Sequence, residues 1–250
     1  MKNGFSLVEL SIVLVILGLL TGGILAGQSL IRASELRSVI ADYQRFSSAT
    51  QTFRDKYLAV PGDMRNATRF WNRNANVADC VTNSSASVST PGACDGDGDA
   101  DIDAPSGASK YGEFFGFWQH LANAGLIEGN YSGIAGSGGG GHAVAGTNVP
   151  AGKISSSAWG AQGLGVYAGF AGDMYAMDYG NVLMVGATMT NNLPANPLFK
   201  PEEVWGIDVK LDDGKPGYGN VISRYYSSCT TGTVSQTDFS AATYNLSSTS

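Results

Sequence analysis

Five aspartates stand at alternate positions along one short stretch: Asp95, Asp97, Asp99, Asp101 and Asp103, with Gly96 and Gly98 between the first three. Closely spaced carboxylates in a glycine-rich loop suit a hard, oxygen-preferring cation, and calcium is the natural occupant. A second acidic group, Asp208, Asp212 and Asp213, precedes a turn and could bind a cation, with less to distinguish it from ordinary helix-end acids. Glu9 is the other residue whose placement asks for chemistry, because it sits inside an apolar run. A carboxylate at membrane depth costs about 2.5–3.5 kcal/mol, so it needs a partner. The run holds no Lys or Arg of its own; a free α-amino group, made by a cut just before Phe5, would supply one. Cys80 and Cys94 flank a polar segment and fit a local disulfide formed in an oxidising compartment. Closing that loop would contribute about 3 kcal/mol in the chain-entropy model. Cys229 is then left over, either as a free thiol or as a partner for one of the others. Neither His120 nor His142 joins the cysteines at zinc spacing.

The element that must position Glu9 is a long helix. From Phe5 to Ile31 the chain is nearly all apolar, about 40 Å of helix against a bilayer core of about 30 Å. Lys2 at the short end favours keeping that end in the cytoplasm. A secretory signal peptide would have a shorter apolar region and a small-residue cleavage site at its far end. Here the run continues into an amphipathic stretch in which Leu36, Ile40, Tyr43, Phe46, Ala49 and Phe53 recur at three- and four-residue steps. The pattern predicts one helix from about Phe5 to about Lys56, ended by Pro61-Gly62.

The segment Gly4-Phe5-Ser6-Leu7-Val8-Glu9-Leu10 resembles the processing site of type IV prepilins and of the pseudopilins of type II secretion systems. The resemblance implies that a prepilin peptidase cleaves between Gly4 and Phe5 and N-methylates Phe5. It also implies that Glu9 pairs with the Phe5 amine of a neighbouring subunit during assembly. The expected organisation is a leader (1–4), a transmembrane and filament-core half-helix (5–31), and a head (32–250) that includes the amphipathic half of the helix. The expected fold is α+β: a long N-terminal helix packed on a small antiparallel sheet with long loops. The expected function is a structural subunit of a type IV pilus. A type II secretion pseudopilin, or a minor tip pilin acting as an adhesin, is the alternative. The partners implied are further copies of the chain in a helical filament, the prepilin peptidase and an inner-membrane assembly platform. The chain would sit in the bacterial inner membrane before assembly, and in an extracellular pilus or periplasmic pseudopilus after it. Many pilins carry a Pro partway along the apolar helix; this chain has Gly18, Gly22, Gly23 and Gly27 there instead. Glycines weaken a helix by about 1 kcal/mol each relative to Ala, so local loosening in the fibre is one expectation.

The remaining residues are read more coarsely. With 250 residues and 43% hydrophobic content the chain can bury a core, while 34 glycines and 14% charged residues suit a loop-rich extracytoplasmic surface. A net charge of −6 argues against general attraction for nucleic acid, and the linear sequence shows no basic stripe. Met64–Asn72 reads as a short helix and Asn74–Ala93 as a polar loop. Asp95, Asp97 and Asp99 resemble the first ligands of an EF-hand loop. The match then stops, since Ala100 stands at the turn Gly and Ser106 where a bidentate Glu belongs, although Glu113 could fold back. Glu113–Ala124 reads as a core helix capped by Gly125, with His120 a lone histidine. Gly133–Gly160 reads as a long exposed loop. Val166–Phe170, Asn181–Thr188 and Asn220–Tyr226 read as strands, and Pro201–Leu211 as a helix with Pro and acids in its first turn. The Ser/Thr-rich tail after Thr230 is expected to be partly mobile. There is no Ser-His-Asp set with supporting context, no zinc set and no dinucleotide fingerprint, so the chain reads as a non-enzyme.

Overall fold

The computed structural model describes residues 6–74, 88–89, 92–105, 111–167, 174–225, 228–232 and 237–248. Its first element, α1, spans Leu7–Tyr57, within two residues of the range its periodicity predicts. The chain divides into two compact units, Met1–Ser38 and Val39–Ser250.

The first unit is the apolar part of α1. Its large apolar side chains are exposed from Leu7 to Ile31. In lipid such a helix must satisfy its own polar groups. Its hydroxyls do so: Ser11 Oγ donates to Val8 O, Thr21 Oγ1 to Leu17 O and Ser29 Oγ to Ala26 O, each at 2.9 Å. The helix is continuous through Gly18–Gly27, where a Cβ on any of the four glycines would meet nothing within 4 Å. An ion pair, Arg32 to Glu35 at 3.0 Å, marks the change to a polar surface.

The second unit holds a mixed α+β core. Val39, Phe46, Ala49 and Phe53 of α1 are buried at helical spacing. Helix α2 (Ala67–Trp71) follows the Pro61-Gly62 turn, and α3 (Glu113–Asn123) is buried over most of its length. The Phe46 ring meets Trp118 of α3 edge-on at 5.0 Å and Trp159 at 5.4 Å, which joins α1 to both helix and sheet. Gly62 has φ 91°, and a Cβ there would lie 2.6 Å from Glu113 O and 2.9 Å from Phe117 N, so only glycine lets the turn close on α3.

The strands are short and pair locally. Arg73–Asn74 (β1) runs parallel to Val88–Ser89 (β2). Ser157–Gly163 (β3) pairs antiparallel with Asn181–Ala187 (β6), with Trp159 opposite Val185. Val166–Tyr167 (β4) pairs with Met177–Asp178 (β5), and Thr230–Thr231 (β7) with Thr243–Tyr244 (β8). Helix α4 spans Pro201–Leu211, and Lys200 N donates to Glu203 Oε2 at its start.

Three expectations need correction. Gly133–Gly160 is not an exposed loop: Ala135, Ala143, Asn148, Val149, Ile154 and Trp159 are buried, and β3 begins inside it. The Asn148 amide makes this burial affordable. Its Nδ2 donates to Ile134 O (2.9 Å) and His142 O (3.0 Å), and its Oδ1 accepts from Val144 N (2.6 Å), so the loop's polar backbone is satisfied internally. Met64–Asn72 keeps helix only over Ala67–Trp71. Residues 221–225 form no strand; Asp212 Oδ2 accepts from Asn220 N and Val221 N and turns the chain instead. The described tail is anchored by β7–β8, with Ala242 and Tyr244 buried. Residues 168–170 and Tyr226 lie outside the described residues.

Candidate functional site

Three places bear on function: the start of α1, the aspartate loop, and the buried histidine beside it. At the start of α1, Ser6 precedes the helix and Glu9 lies in its first turn. Ser6 N donates to Glu9 Oε2 at 2.9 Å, and Val8 N reaches Ser6 Oγ at 3.3 Å. This reciprocal capping satisfies two of the backbone donors left open at a helix start, and the carboxylate complements the positive helix end. Glu9 therefore has a partner within its own segment, which sequence reasoning missed although Ser-x-x-Glu is legible as a capping pattern. Gly4 and Phe5 lie outside the described residues.

The aspartate loop is held by two acids from elsewhere in the chain. Glu113, at the start of α3, accepts from Asp97 N at its Oε1 and from Asp103 N at its Oε2, each at 3.1 Å. Asp63, just after the Pro61-Gly62 turn, accepts from Gly98 N and, at 2.8 Å, from Ala100 N. Both are buried, with 4% of Glu113 and 3% of Asp63 exposed. Asp63, Asp97 and Glu113 bring one carboxylate oxygen each within 4.8 Å of one another, and so do Asp97, Asp99 and Asp103. Burial pushes the Glu113 carboxyl up to about 8 against the hydrogen bonds from Asp103 and Asp97, with the charges of Asp63 and Asp97 adding to the rise. Asp63 is raised for the same first reason, and Asp103 by partial burial and then by the charges of Asp99, Asp101 and Asp97.

Two of the five expected ligands turn away from this group. Asp95 is buried and serves α2: Thr68 N donates to its Oδ1 at 2.8 Å and Thr68 Oγ1 to its Oδ2 at 3.0 Å. It supplies the cap that Asn66, at the helix start, does not. Asp101 Oδ1 accepts from Ile102 N at 2.9 Å, and Asp99 Oδ1 from Asp101 N at 2.9 Å. The cation-competent set is thus Asp63, Asp97 and Glu113, flanked by Asp99 and Asp103. Glu113 folds back as its position allowed; nothing local in the sequence pointed to Asp63.

Asp208, Asp212 and Asp213 also gather oxygens within 4.8 Å. Asp208 is fully buried and is engaged by Tyr244 Oη at 2.8 Å and Gly214 N at 3.2 Å. Burial raises its pKa despite those hydrogen bonds. The group organises the end of α4.

His120 is not a lone histidine. It is fully buried, receives a hydrogen bond from Gly62 N at its Nδ1 (2.9 Å), and its Nε2 lies 3.0 Å from Cys94 O. Since Nδ1 accepts, Nε2 carries the proton and donates to the carbonyl. The ring stacks on Phe53 at 6.3 Å and packs against Trp71 at 5.5 Å. One side chain thereby ties α1, α2, α3, the Pro61-Gly62 turn and the start of the aspartate loop. Cys94 is buried; Cys80 lies outside the described residues, and Cys229 is a free thiol.

Among the described residues α1 is the helix long and apolar enough to cross a membrane. No curated protein and no solved structure matches the chain. Residues 1–25 match the family model of the prokaryotic N-terminal methylation motif, so the chain carries the type IV pilin and pseudopilin signal at the head of its membrane-length helix.

Proposed function

We propose that the chain is a structural, non-enzymatic filament subunit, anchored in the inner membrane until prepilin peptidase cuts between Gly4 and Phe5 and methylates Phe5. The observation that carries this reading is the methylation motif on a helix whose apolar half is exposed along its length. Such a surface is stable in lipid or against other copies of itself, and a fibre core supplies the second environment as the subunit leaves the first. Glu9 then exchanges its own capping bond for the Phe5 amine of a neighbour. The type IV pilus is the preferred assembly, and the type II secretion pseudopilus shares all of this chemistry. N-terminal mass spectrometry of sheared fibres and of membranes tests the reading. A methylated Phe5 terminus is expected in the fibre fraction, abundant there for a major subunit and scarce for a minor, tip-located one. An intact Met1 confined to membranes would overturn it.

The aspartate loop is assigned to calcium. Asp63 and Glu113 are buried carboxylates beside Asp97, and among the described residues no Lys or Arg forms an ion pair with them. Buried like charges need a neutralising partner, and the oxygens retain lone pairs beyond those that accept backbone N–H groups. Cys94 begins this loop, and a Cys80–Cys94 disulfide would fix its entry. Calorimetric titration is expected to show calcium binding that Asp97→Asn and Glu113→Gln each weaken by about tenfold or more, since each removes one charged ligand. Absence of heat, and of any rise in melting temperature, at millimolar calcium would end this assignment.

A further inference from the structure

Helix α4 buries one face and leaves the other open. Pro201, Ile207 and Asp208 are buried, while Glu202, Trp205, Val209 and Lys210 are exposed, Trp205 by 43% and Val209 by 50%. Helical spacing sets Glu202, Gly206 and Lys210 in one row, with Val209 beside it and Trp205 at its edge. A Cβ on Gly214, just past the helix, would meet Val209 Cγ2 at 2.8 Å and Trp205 Nε1 at 3.5 Å, so the two apolar side chains lie together over that turn. A Cβ on Gly206 would meet nothing within 4 Å. Glycine inside a helix is less stable than alanine, and the fold around Gly206 supplies no steric reason for it. What the missing side chain permits is close approach of another backbone from outside.

The charges on this row select what fits it. Glu202 lies four residues before Gly206 and Lys210 four after, so the row is negative at one end and positive at the other. Glu203, not Glu202, caps the helix by accepting from Lys200 N at 2.9 Å. Among the described residues neither Glu202 nor Lys210 makes an ion pair. When a second copy of α4 is turned end for end about Gly206, Glu202 of each copy meets Lys210 of the other. A parallel copy would set like charges together. In such an isologous contact each pairing occurs twice, and antiparallel helices also oppose their dipoles.

We propose that the open face of α4 is a self-association surface: two copies pair antiparallel through Glu202, Gly206, Val209 and Lys210, with Gly206 at the crossing. The pair is closed, so in a filament it joins one fibre to another rather than extending either. That placement between fibres rests on the filament reading above; the pairing itself does not. One helix crossing is a small contact, and its repetition along a fibre supplies the avidity that a single pair lacks.

Gly206→Cys is introduced into the full chain together with Cys229→Ser, and disulfide-linked dimer is followed in detergent under oxidised glutathione. Thiols at a close helix crossing lie within disulfide reach. Dimer is expected to form about tenfold faster than from Lys153→Cys, an exposed position elsewhere on the head. Adding Glu202→Lys or Lys210→Glu is expected to slow it about tenfold, since each turns two attractive pairs into two repulsive ones. Adding both is expected to restore the rate to within about threefold, because the charges are complementary again. A merely local effect on the thiol would separate the two reversals: Glu202→Lys would favour the thiolate and quicken the reaction, and Lys210→Glu would slow it. Melting temperature reports that each variant is folded. Where a reversal unfolds the head, Glu202→Gln takes its place, with a slowing of about threefold expected. No advantage over Lys153→Cys, reversals that act in opposite directions, or a double reversal that fails to restore the rate overturns the pairing. So does retention of the full chain on a dextran column that Trp205→Ala abolishes while Gly206→Cys shows no advantage; that result would assign the face to a polysaccharide. The assay needs no fibre, so its failure sinks the pairing alone, whereas an intact Met1 confined to membranes sinks the filament reading alone.

Discussion

Replacing Glu9 with leucine is expected to leave a chain that inserts and is processed but is nearly absent from fibres. The substitution removes the one carboxylate of the apolar run, relieving a membrane cost of about 2.5–3.5 kcal/mol. The variant is therefore held in the bilayer at least as well as the native chain. It loses the group that the Phe5 amine of a neighbour would pair with, so an uncompensated cation would have to enter the fibre core. Removing one partner of a buried charge pair costs on the order of 3–5 kcal/mol, which corresponds to a loss of at least a hundredfold in assembly. The capping arrangement sharpens the test. Ser6 N donates to Glu9 Oε2 at 2.9 Å, so part of the loss could come from fraying of the first turn. Glu9→Gln can still accept that hydrogen bond but carries no charge. Fibre yield from Glu9→Gln as low as from Glu9→Leu assigns the effect to charge; near-native yield from Glu9→Gln would overturn the pairing and leave Glu9 as a helix cap.

Acidification is expected to unfold the head through His120. The buried imidazole is shifted down from 6.5 to about 4, by loss of solvent first, with the Cys94 carbonyl opposing. Between those values the unfolded chain binds a proton that the folded chain refuses. Stability therefore falls as pH drops from about 6.5 and levels off below about 4, by roughly 3 kcal/mol in all. The geometry gives the same answer: protonated Nδ1 would point a hydrogen at the Gly62 N–H that now donates to it. Glu113 acts in the opposite sense. Its folded pKa is raised from 4.5 to about 8, so its favourable contribution is complete below 4.5 and is lost as pH rises through 8. The two slopes oppose each other between pH 4.5 and 6.5, and the histidine part is isolated by comparison with His120→Gln. Glutamine can accept from Gly62 N and donate to Cys94 O without titrating. Urea unfolding of the full chain in detergent, followed by tryptophan fluorescence, is expected to show the native chain losing roughly 3 kcal/mol relative to His120→Gln between pH 7 and pH 4. Parallel pH profiles for the two proteins would overturn this account.

What could be read from the sequence was what depends on neighbours in the chain. The span of α1 followed from apolar residues at three- and four-residue steps, and α4 from Pro201 with Glu202 and Glu203, because helix bonds and caps join residues a few positions apart. The Gly4–Leu10 motif was legible for the same reason: a short contiguous segment carries it. The aspartates were visible as a calcium-like string, yet their division of labour was not. Asp95 caps α2 through Thr68, 27 residues away, while Asp63 comes from 37 residues before Ala100 to hold the loop. His120 read as partnerless because its partners, Gly62 and Cys94, stand 58 and 26 residues away. Gly133–Gly160 read as exposed because low-complexity composition ordinarily signals solvent. The tertiary structure buries it, since small residues permit close approach and Asn148 satisfies the backbone that burial would otherwise strand. The sequence by itself determined the long helix and its processing motif, which rest on local bonds. Only the tertiary structure decided which carboxylates share a site and which histidine ties the head together, because burial and long-range hydrogen bonds exist only once distant segments have packed.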